Sequence, residues 1–474
     1  MGLFEEYIMA SDIPWYERAW FTKSVTYGFI LLVLVKFVHS IFLKENDFDW
    51  HLAYGQLALK ATYYADTEAF RSLIFHYFHY PPGRLLIDEA LSLLPRLVAR
   101  AIFFCAAIGA LFIIRKIWRE LAEKVMPVSP GIEFAAAALA FLLFANWIVR
   151  DFDECGLQIL LLLFLSLAAW SLYRGACIQS GAWLGLAITF KLTPVLFIPL
   201  LLWKRRFAEA AATICFVIVF NVIMPGLIWG PDLTREFLVR HIQVLETVAT
   251  LDDPSENGIE RPSHRSQSLK LAIARYLQTY PPGHPLFIDR NYDEVSCTER
   301  GIDPSACQRH PLFIQFLNLP KATAKRIVAL VIVVIGLVVA WRLRRRWLLL
   351  QAKTHTDSLS SLAPEWAVAC AFAAFLSPLT WHQHLTLVLP CGYLVIRDAL
   401  NRPDQSRIRW AGFSFIFASI WILHRDPLSK LYSLIAMSYH FEVLAVLILI
   451  VMTLTIQGAI VPSGQNSSEH SANL

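Results

Sequence analysis

Apolar runs alternate with short polar segments along almost the whole chain. Such runs fall near 24–43, 97–114, 132–149, 156–173, 208–229, 324–342, 363–379, 383–397, 409–424 and 441–460. At about 1.5 Å of rise per residue, helices of this length cross or enter a hydrocarbon core roughly 30 Å thick. One further run, Gly181 to Trp203, has the length of a span but contains Lys191 and Pro194. The pattern predicts an all-α, polytopic integral membrane protein with about 12 transmembrane or half-membrane helices. It reads as a single domain over 1–460, with loops at 44–96 and 230–322. The tail 461–474, rich in Ser, Asn and Gly, reads as disordered and cytoplasmic.

Composition agrees. Of 474 residues, 56% are hydrophobic and 17% charged, against about 25% charged in a soluble domain. Neither a Gly-rich phosphate loop nor a dinucleotide fingerprint is present, which leaves membrane lipids rather than nucleic acid as partners. The first run is long enough to span rather than be cleaved as a signal peptide.

The placement of basic residues says more than the net charge of +5. Cytoplasmic loops collect Lys and Arg. With the N-terminus in the cytoplasm, Arg115, Lys116, Arg119 and Lys124 fall inside, as do Arg174 and the groups at 342–346 and 397–409. Lys204, Arg205 and Arg206 join them only if the 181–203 run enters and returns as two half-helices meeting at Lys191 to Pro194. The termini are then cytoplasmic, the loops 44–96 and 230–322 extracytoplasmic, and the expected location is the inner (plasma) membrane. A lysine at mid-membrane costs about 2.5–3.5 kcal/mol on insertion scales. It either snorkels to the interface or meets an anionic group inside the protein.

Cys105, Cys155, Cys177, Cys215, Cys370 and Cys391 lie in or beside apolar stretches and read as small buried hydrophobes. Cys297 and Cys307 lie in the long polar loop, where a disulfide is chemically reasonable if that loop is outside.

On this layout the polar clusters share the outer face: Asp47, Asp49 and His51; Tyr80 to Arg84; Asp151 to Glu154; His264 to Ser268; Trp381 to His384. No nucleotide pool exists there, so group transfer must draw on an activated lipid. A lipid-linked sugar phosphate already carries its leaving group and needs charge stabilisation, while the acceptor hydroxyl needs a base. Position leaves Asp47 open as that base or as a helix cap. Asp49 is a second acid, a cap or a metal ligand. Asp151 to Glu154 reads as a solvated loop or as a set of cation ligands. Pro81 and Pro82 read either as a stiff corner that presents Tyr80, Arg84 and His79 to a cavity or simply as a rigid helix start. Trp381, His382 and His384 follow a Ser-Pro turn at an interface, and Arg265 is a phosphate or glycan contact or an ordinary loop arginine.

Four stretches resemble glycosyltransferase family 87, the polyprenyl-phosphate-mannose-dependent mannosyltransferases of the GT-C superfamily. They are Asp47-Phe48 through Tyr54-Gly55, Tyr80-Pro-Pro82 to Leu94-Pro95, Gly181 to Arg206 with Lys191 and Pro194 in register, and Ser377 to His384. The resemblance implies a GT-C-type fold, a donor entering from the membrane, and an acidic base in the first outer loop. It assigns the base to Asp47, the histidine role to His384 and phosphate contact to Lys191. Gln383 and Thr380 stand where the family has His and Ser, and the family's Asn-Gln-Ser-Leu reads Ser266-Gln-Ser-Leu269 here.

The expectation is a membrane glycosyltransferase moving a sugar, mannose above others, from a polyprenyl phosphate to a lipid- or glycan-linked hydroxyl with inversion. Asp47 and His384 are the catalytic candidates. Lys191, Arg84 and Arg265 bind donor phosphate, and Asp49, His51, Tyr80, Trp381 and His382 line the pocket. No cofactor or obligatory metal is expected. The competing readings are a lipid-linked sugar flippase or transporter, and a related enzyme using another sugar or a protein acceptor.

Overall fold

The computed structural model describes residues 14–43, 47–63, 80–249, 266–277, 317–350, 362–377, 380–403, 406–423, 436–437 and 439–456. His79, Arg265, Cys297, Cys307 and the tail 461–474 lie outside this set. Regular structure among the described residues is helical throughout. In chain order the helices are α1 (Ala19–Val38), α2 (Asp47–Tyr63), α3 (Pro82–Ser92), α4 (Arg96–Glu123), α5 (Pro130–Leu143), α6 (Ala145–Asp153), α7 (Leu157–Tyr173), α8 (Cys177–Phe190) and α9 (Phe197–Trp203). They continue as α10 (Phe207–Ile218), α11 (Met224–Trp229), α12 (Pro231–Ala249), α13 (Leu269–Leu277), α14 (Lys321–Leu350), α15 (Leu362–Phe375), α16 (Leu389–Asn401), α17 (Arg407–Phe417) and α18 (Phe441–Thr455).

Among the described residues, four helical stretches are long and apolar enough to cross a membrane: Ala19–Phe42, Arg96–Glu123, Phe207–Trp229 and Ala322–Leu343. Helices α5 and α6 make a fifth if counted as one span bent by 64°. That bend has a local cause. The carbonyl of Leu143, freed where the helix breaks, accepts the indole N–H of Trp421 at 3.0 Å, and Asn146 donates to the Ile420 carbonyl at 3.0 Å. A break in a membrane helix is tolerated where neighbouring helices satisfy the exposed backbone in this way. Shorter apolar helices, including α7, α8, α15 and α18, fill the bundle between the long ones.

The run containing Lys191 turns back on itself. Phe190 ends α8, Lys191 is extended (φ −157°, ψ 132°), and a 3-10 turn at Thr193–Leu196 leads into α9. The register between α8 and α10 reveals the direction of travel. Cys177 Sγ lies 3.4 Å from Glu209 Oε1, Gly181 abuts Ala212, Gly185 abuts Phe216, and Thr189 accepts a hydrogen bond from Asn221 at 2.8 Å. The partner numbers rise together, so α8 and α10 run parallel. Lys191 to Arg206 must therefore travel back along the length of α8 before α10 begins.

Two ends of the bundle follow from side-chain ties. At one, Glu123 pairs with Arg397, Asp398 with Arg409, Glu133 with Arg115 at 2.8 Å and Glu365 with Lys204 at 2.8 Å. At the other lie Asp49, Asp88, Asp153, Lys191 and His382. Helix α4 runs from this polar end to the basic one. Its 28 residues span about 42 Å at 1.5 Å each. Arg174 and Lys204 to Arg206 share the basic end, which is the arrangement the charge distribution requires.

The cysteine expectation holds only in part. Cys155, Cys370 and Cys391 are buried, but Cys105 and Cys215 are exposed on the bundle's outside. In a membrane protein an apolar residue has no need of the interior, because the surrounding lipid is equally apolar.

Candidate active site

The polar end is organised by α3. Pro81 is extended (φ −60°, ψ 153°), and Pro82 occupies the first helical position, where its missing N–H costs nothing. Gly83 then presses against the Phe220 carbonyl and the Thr189 side chain, where a Cβ would overlap both. Its N–H donates to Asn221 Oδ1 at 3.2 Å. Phe220 and Asn221 belong to a π-helical turn, Val219–Ile223, between α10 and α11. Such a turn inserts an extra residue and re-aims backbone groups. Here it receives the Pro-Pro-Gly corner and fixes Arg84 beside the end of α8.

Arg84 is 1% exposed. Its Nε donates to Asp88 Oδ1 at 3.0 Å, one helical turn onward, and its guanidinium carbon lies 4.0 Å from the Phe190 ring centroid and 5.9 Å from that of Tyr80. Nη2 is buried with no hydrogen-bond partner among the described residues. Asp88, fully buried, uses its other oxygen to bind His51 Nδ1 at 3.0 Å. That contact needs α2 and α3 to approach closely, and Gly55 permits it, since a Cβ there would overlap the Asp88 backbone carbonyl. A carboxylate accepts, so Nδ1 carries the hydrogen and Nε2 of the neutral ring is bare. Burial holds the His51 pKa below its ordinary value and outweighs the opposing pull of Asp88; the Arg84 charge adds to the lowering. Tyr80 lies 5.2 Å away, ring to ring.

Lys191 follows Phe190, on whose ring Arg84 rests. Its Nζ is buried and has no hydrogen-bond partner among the described residues, so snorkelling to solvent does not describe it. Thr193 Oγ1 is likewise buried and unpartnered among them. Asp151 is an opposing charge that acts on Lys191 electrostatically.

Asp151 corrects the expectation of a solvated loop. It is fully buried and accepts the backbone N–H groups of Gln158 at 3.0 Å and Ile159 at 2.8 Å, capping α7. Asp153 points elsewhere, to Lys36 at 2.9 Å and His39 at 3.2 Å. The two carboxylates thus serve different neighbours. Asp49 is also engaged: Arg96 grips it through Nε at 2.8 Å and Nη2 at 2.6 Å, and Arg100 through Nε at 3.0 Å and Nη2. Its partners tie the start of α2 to the start of α4. Among the described residues, no three His, Cys, Asp or Glu side chains converge to hold a metal.

Asp47 opens α2 and precedes His51 by one turn; its side chain lies outside the described set. Trp381 caps, and His384 lies within, a 3-10 turn, His382–Val388, that packs against α6, the helix of Asp151. His384 Nδ1 accepts the Trp381 backbone N–H at 3.1 Å, which leaves the hydrogen of the neutral ring on Nε2. His384 is therefore a donor there, opposite in polarity to His51. His382 is buried and binds Glu442 at 2.7 Å through Nδ1.

Asp88, Glu442 and Arg275 escaped the sequence reading. Arg275 is fully buried, its guanidinium carbon 3.9 Å from the Tyr439 ring centroid. Only Asp88 left a trace in sequence, as the acid four residues after Arg84 on one helix face.

A membrane bundle with buried cations, a buried acid–imidazole pair and aromatic rings at one end has the parts for group transfer to or from a lipid. A sequence model of glycosyltransferase family 87 matches residues 78–283, the stretch that carries Tyr80, Arg84, Asp88, Asp151 and Lys191. The match supports a membrane glycosyltransferase. Over those residues the chain is similar to glycosyltransferase family 87; Asp47 and His384 lie outside the matched stretch. Neither a curated protein nor a solved structure matches the chain.

Proposed function

We propose that the protein transfers a sugar, mannose above others, from a polyprenyl phosphate to a lipid- or glycan-linked hydroxyl at the polar end of the bundle. The observation that carries this reading is two orphaned donors, one on the arginine that rests on Phe190 and one on the lysine that follows Phe190 in the chain: Arg84 Nη2 and Lys191 Nζ are both buried and lack acceptors among the described residues. Buried polar groups are almost always partnered, and a phosphate oxygen suits both. The sugar donor is a phosphodiester with one negative charge. When the bond from C1 to the phosphate oxygen breaks, the departing phosphomonoester gains another. Fixed cations in a water-poor site stabilise that developing charge.

The acceptor hydroxyl oxygen attacks C1 from the face opposite the phosphate, so the anomeric configuration inverts. Its proton passes to Asp47. His384, whose neutral ring donates through Nε2, is suited to orient the Asp47 carboxylate. Tyr80 and Trp381 supply flat apolar faces for the sugar, and Asp49 stays with Arg96 and Arg100 as an anchor for α2. Arg265 is retained as a further phosphate contact from the long loop. The polar end faces outward if the basic end is cytoplasmic.

The test is transfer of radiolabelled sugar from polyprenyl-phosphate-mannose to membrane lipids, comparing wild type with Asp47→Asn. Labelled product from wild type alone supports the reading. No transfer by wild type, with the donor moved across the bilayer instead, would identify a transporter.

A further inference from the structure

One buried carboxylate touches both halves of the polar end. Asp88 receives Arg84 Nε on Oδ1 and His51 Nδ1 on Oδ2, each at 3.0 Å. Arg84 is thereby turned so that Nη2, a donor, stays unpartnered among the described residues. His51 is turned so that Nε2, an acceptor, stays bare. A donor and an acceptor are thus held at fixed separation by a single rigid group, with Tyr80 against both the His51 ring and the Arg84 guanidinium. The ligand that complements such a pair presents a phosphate oxygen to Arg84 and a hydroxyl hydrogen to His51. A glycosyl phosphate does both, because its sugar hydroxyls stand close to the phosphate.

We propose that Asp88 is a positioning residue for the sugar donor, and that through it His51 Nε2 accepts a hydrogen bond from a hydroxyl of the transferred sugar while Arg84 holds the phosphate. This rests on the glycosyltransferase reading above and adds a recognition element to it. His51 takes no proton in the reaction; it fixes the sugar ring relative to the phosphate and so sets the line of attack at C1. The polarity is what matters. Protonated His51 carries a hydrogen on Nε2 and repels the hydroxyl hydrogen it should accept. An amide at position 88 has the same effect by another route, because its NH2 group faces one of two donors and favours the other imidazole tautomer, as when the orienting acid of a catalytic histidine is replaced.

The groups facing His51 are few enough to name. Helix α3 contributes Asp88 and Arg84, the turn after α6 contributes Glu154, and Tyr80 and Tyr54 contribute rings at 5.2 and 6.3 Å. From α4, Arg96 and Arg100 are engaged by Asp49. On α2 itself Asp47 stands one turn away.

The experiment measures transfer of label from mannosyl polyprenyl phosphate by the full-length protein in nanodiscs, from pH 5 to 8, for wild type, Asp88→Asn and His51→Gln. Nitrogen-15 spectra of histidine-labelled protein are recorded alongside. Wild type is expected to lose kcat/KM on the acid side with one proton, and its donor KM to rise with it. His51→Gln should lose that acid limb and raise donor KM by roughly tenfold, the loss of one hydrogen bond of about 1.4 kcal/mol. Asp88→Asn should move one histidine from the Nδ1-protonated to the Nε2-protonated tautomer in the spectra. An unchanged acid limb and donor KM in His51→Gln would overturn the proposal while leaving the glycosyltransferase reading intact, even if Asp88→Asn failed to fold. Absence of transfer by wild type at every pH would overturn the reading itself, and the proposal with it.

Discussion

Arg84 sits over Phe190, its guanidinium carbon 4.0 Å from the ring centroid, with Lys191 the very next residue. The sequence separates these cations by more than a hundred positions, and the fold rests Arg84 on the ring of the residue that precedes Lys191. Arg84→Lys keeps the charge but loses both the planar contact and the Nε bond to Asp88. Donor KM is expected to rise on the order of tenfold, the size of one such bond, with kcat reduced less. Steady-state kinetics at varied donor concentration decide it; an unchanged KM would remove Arg84 from the phosphate site.

Arg84→Leu is a different experiment. It strands Asp88 as a buried acid with only His51 for company. Removing one member of a buried pair destabilises by about 3–5 kcal/mol, so thermal unfolding in detergent should shift strongly. The double replacement Arg84→Leu with Asp88→Leu should recover much of that stability without recovering transfer.

Asp47→Asn should leave the unfolding temperature within error of wild type, because asparagine keeps the size of the side chain and caps a helix start as well as aspartate does. Loss of a general base lowers turnover by about 10²–10⁴-fold. Turnover within twofold of wild type would exclude Asp47 as the base.

Gly83→Ala tests the corner that places Arg84. A methyl group there overlaps the Phe220 carbonyl, and a backbone oxygen cannot move aside as a side chain can. Destabilisation of about 1–3 kcal/mol is expected, together with lowered transfer. Asn221→Ala should act in the same direction, since it removes the acceptor of the Gly83 N–H and the donor to Thr189.

Acid should weaken the fold through His51. Its folded pKa lies below the value near 6.5 of the unfolded chain, chiefly through burial. The unfolded chain therefore takes up the proton first. The stabilising preference for neutral His51 is fully present above about pH 6.5 and is lost progressively as pH falls from there toward the lowered folded value. Chemical denaturation from pH 8 to 5 should show a smaller acid decline for His51→Gln than for wild type.

Much of the scaffold was legible because membrane helices announce themselves by composition alone. The break at Lys191 was legible for the same reason, as a cation and a proline inside an apolar run. The charge of Lys204 to Arg206 even required the return leg that the register of Gly181 on Ala212 and Thr189 on Asn221 records. The pairings were not legible. Asp49 finds Arg96 and Arg100 far along the chain, and no local pattern marks an acid for a distant clamp. Asp151 looked solvated because a cluster of acids between two spans usually is, yet it closes the first turn of α7. Asp88 resembled any carboxylate on an amphipathic helix; its burial depends on Gly55 admitting a neighbouring backbone.

The doubled-back segment also orders events during synthesis. At 14 residues, α8 is about 21 Å long and falls short of the hydrocarbon core of roughly 30 Å, and its far end carries Lys191. The helix it leans on, beginning at Phe207, emerges from the ribosome afterwards. The hairpin therefore reaches its final depth only once α10 and α11 are inserted, and a nascent chain stalled before Trp229 should still expose Lys191 to water-soluble amine reagents. The reactive end is finished later still, because the turn carrying Trp381 and His384 and the helix carrying Glu442 follow Trp229 in the chain.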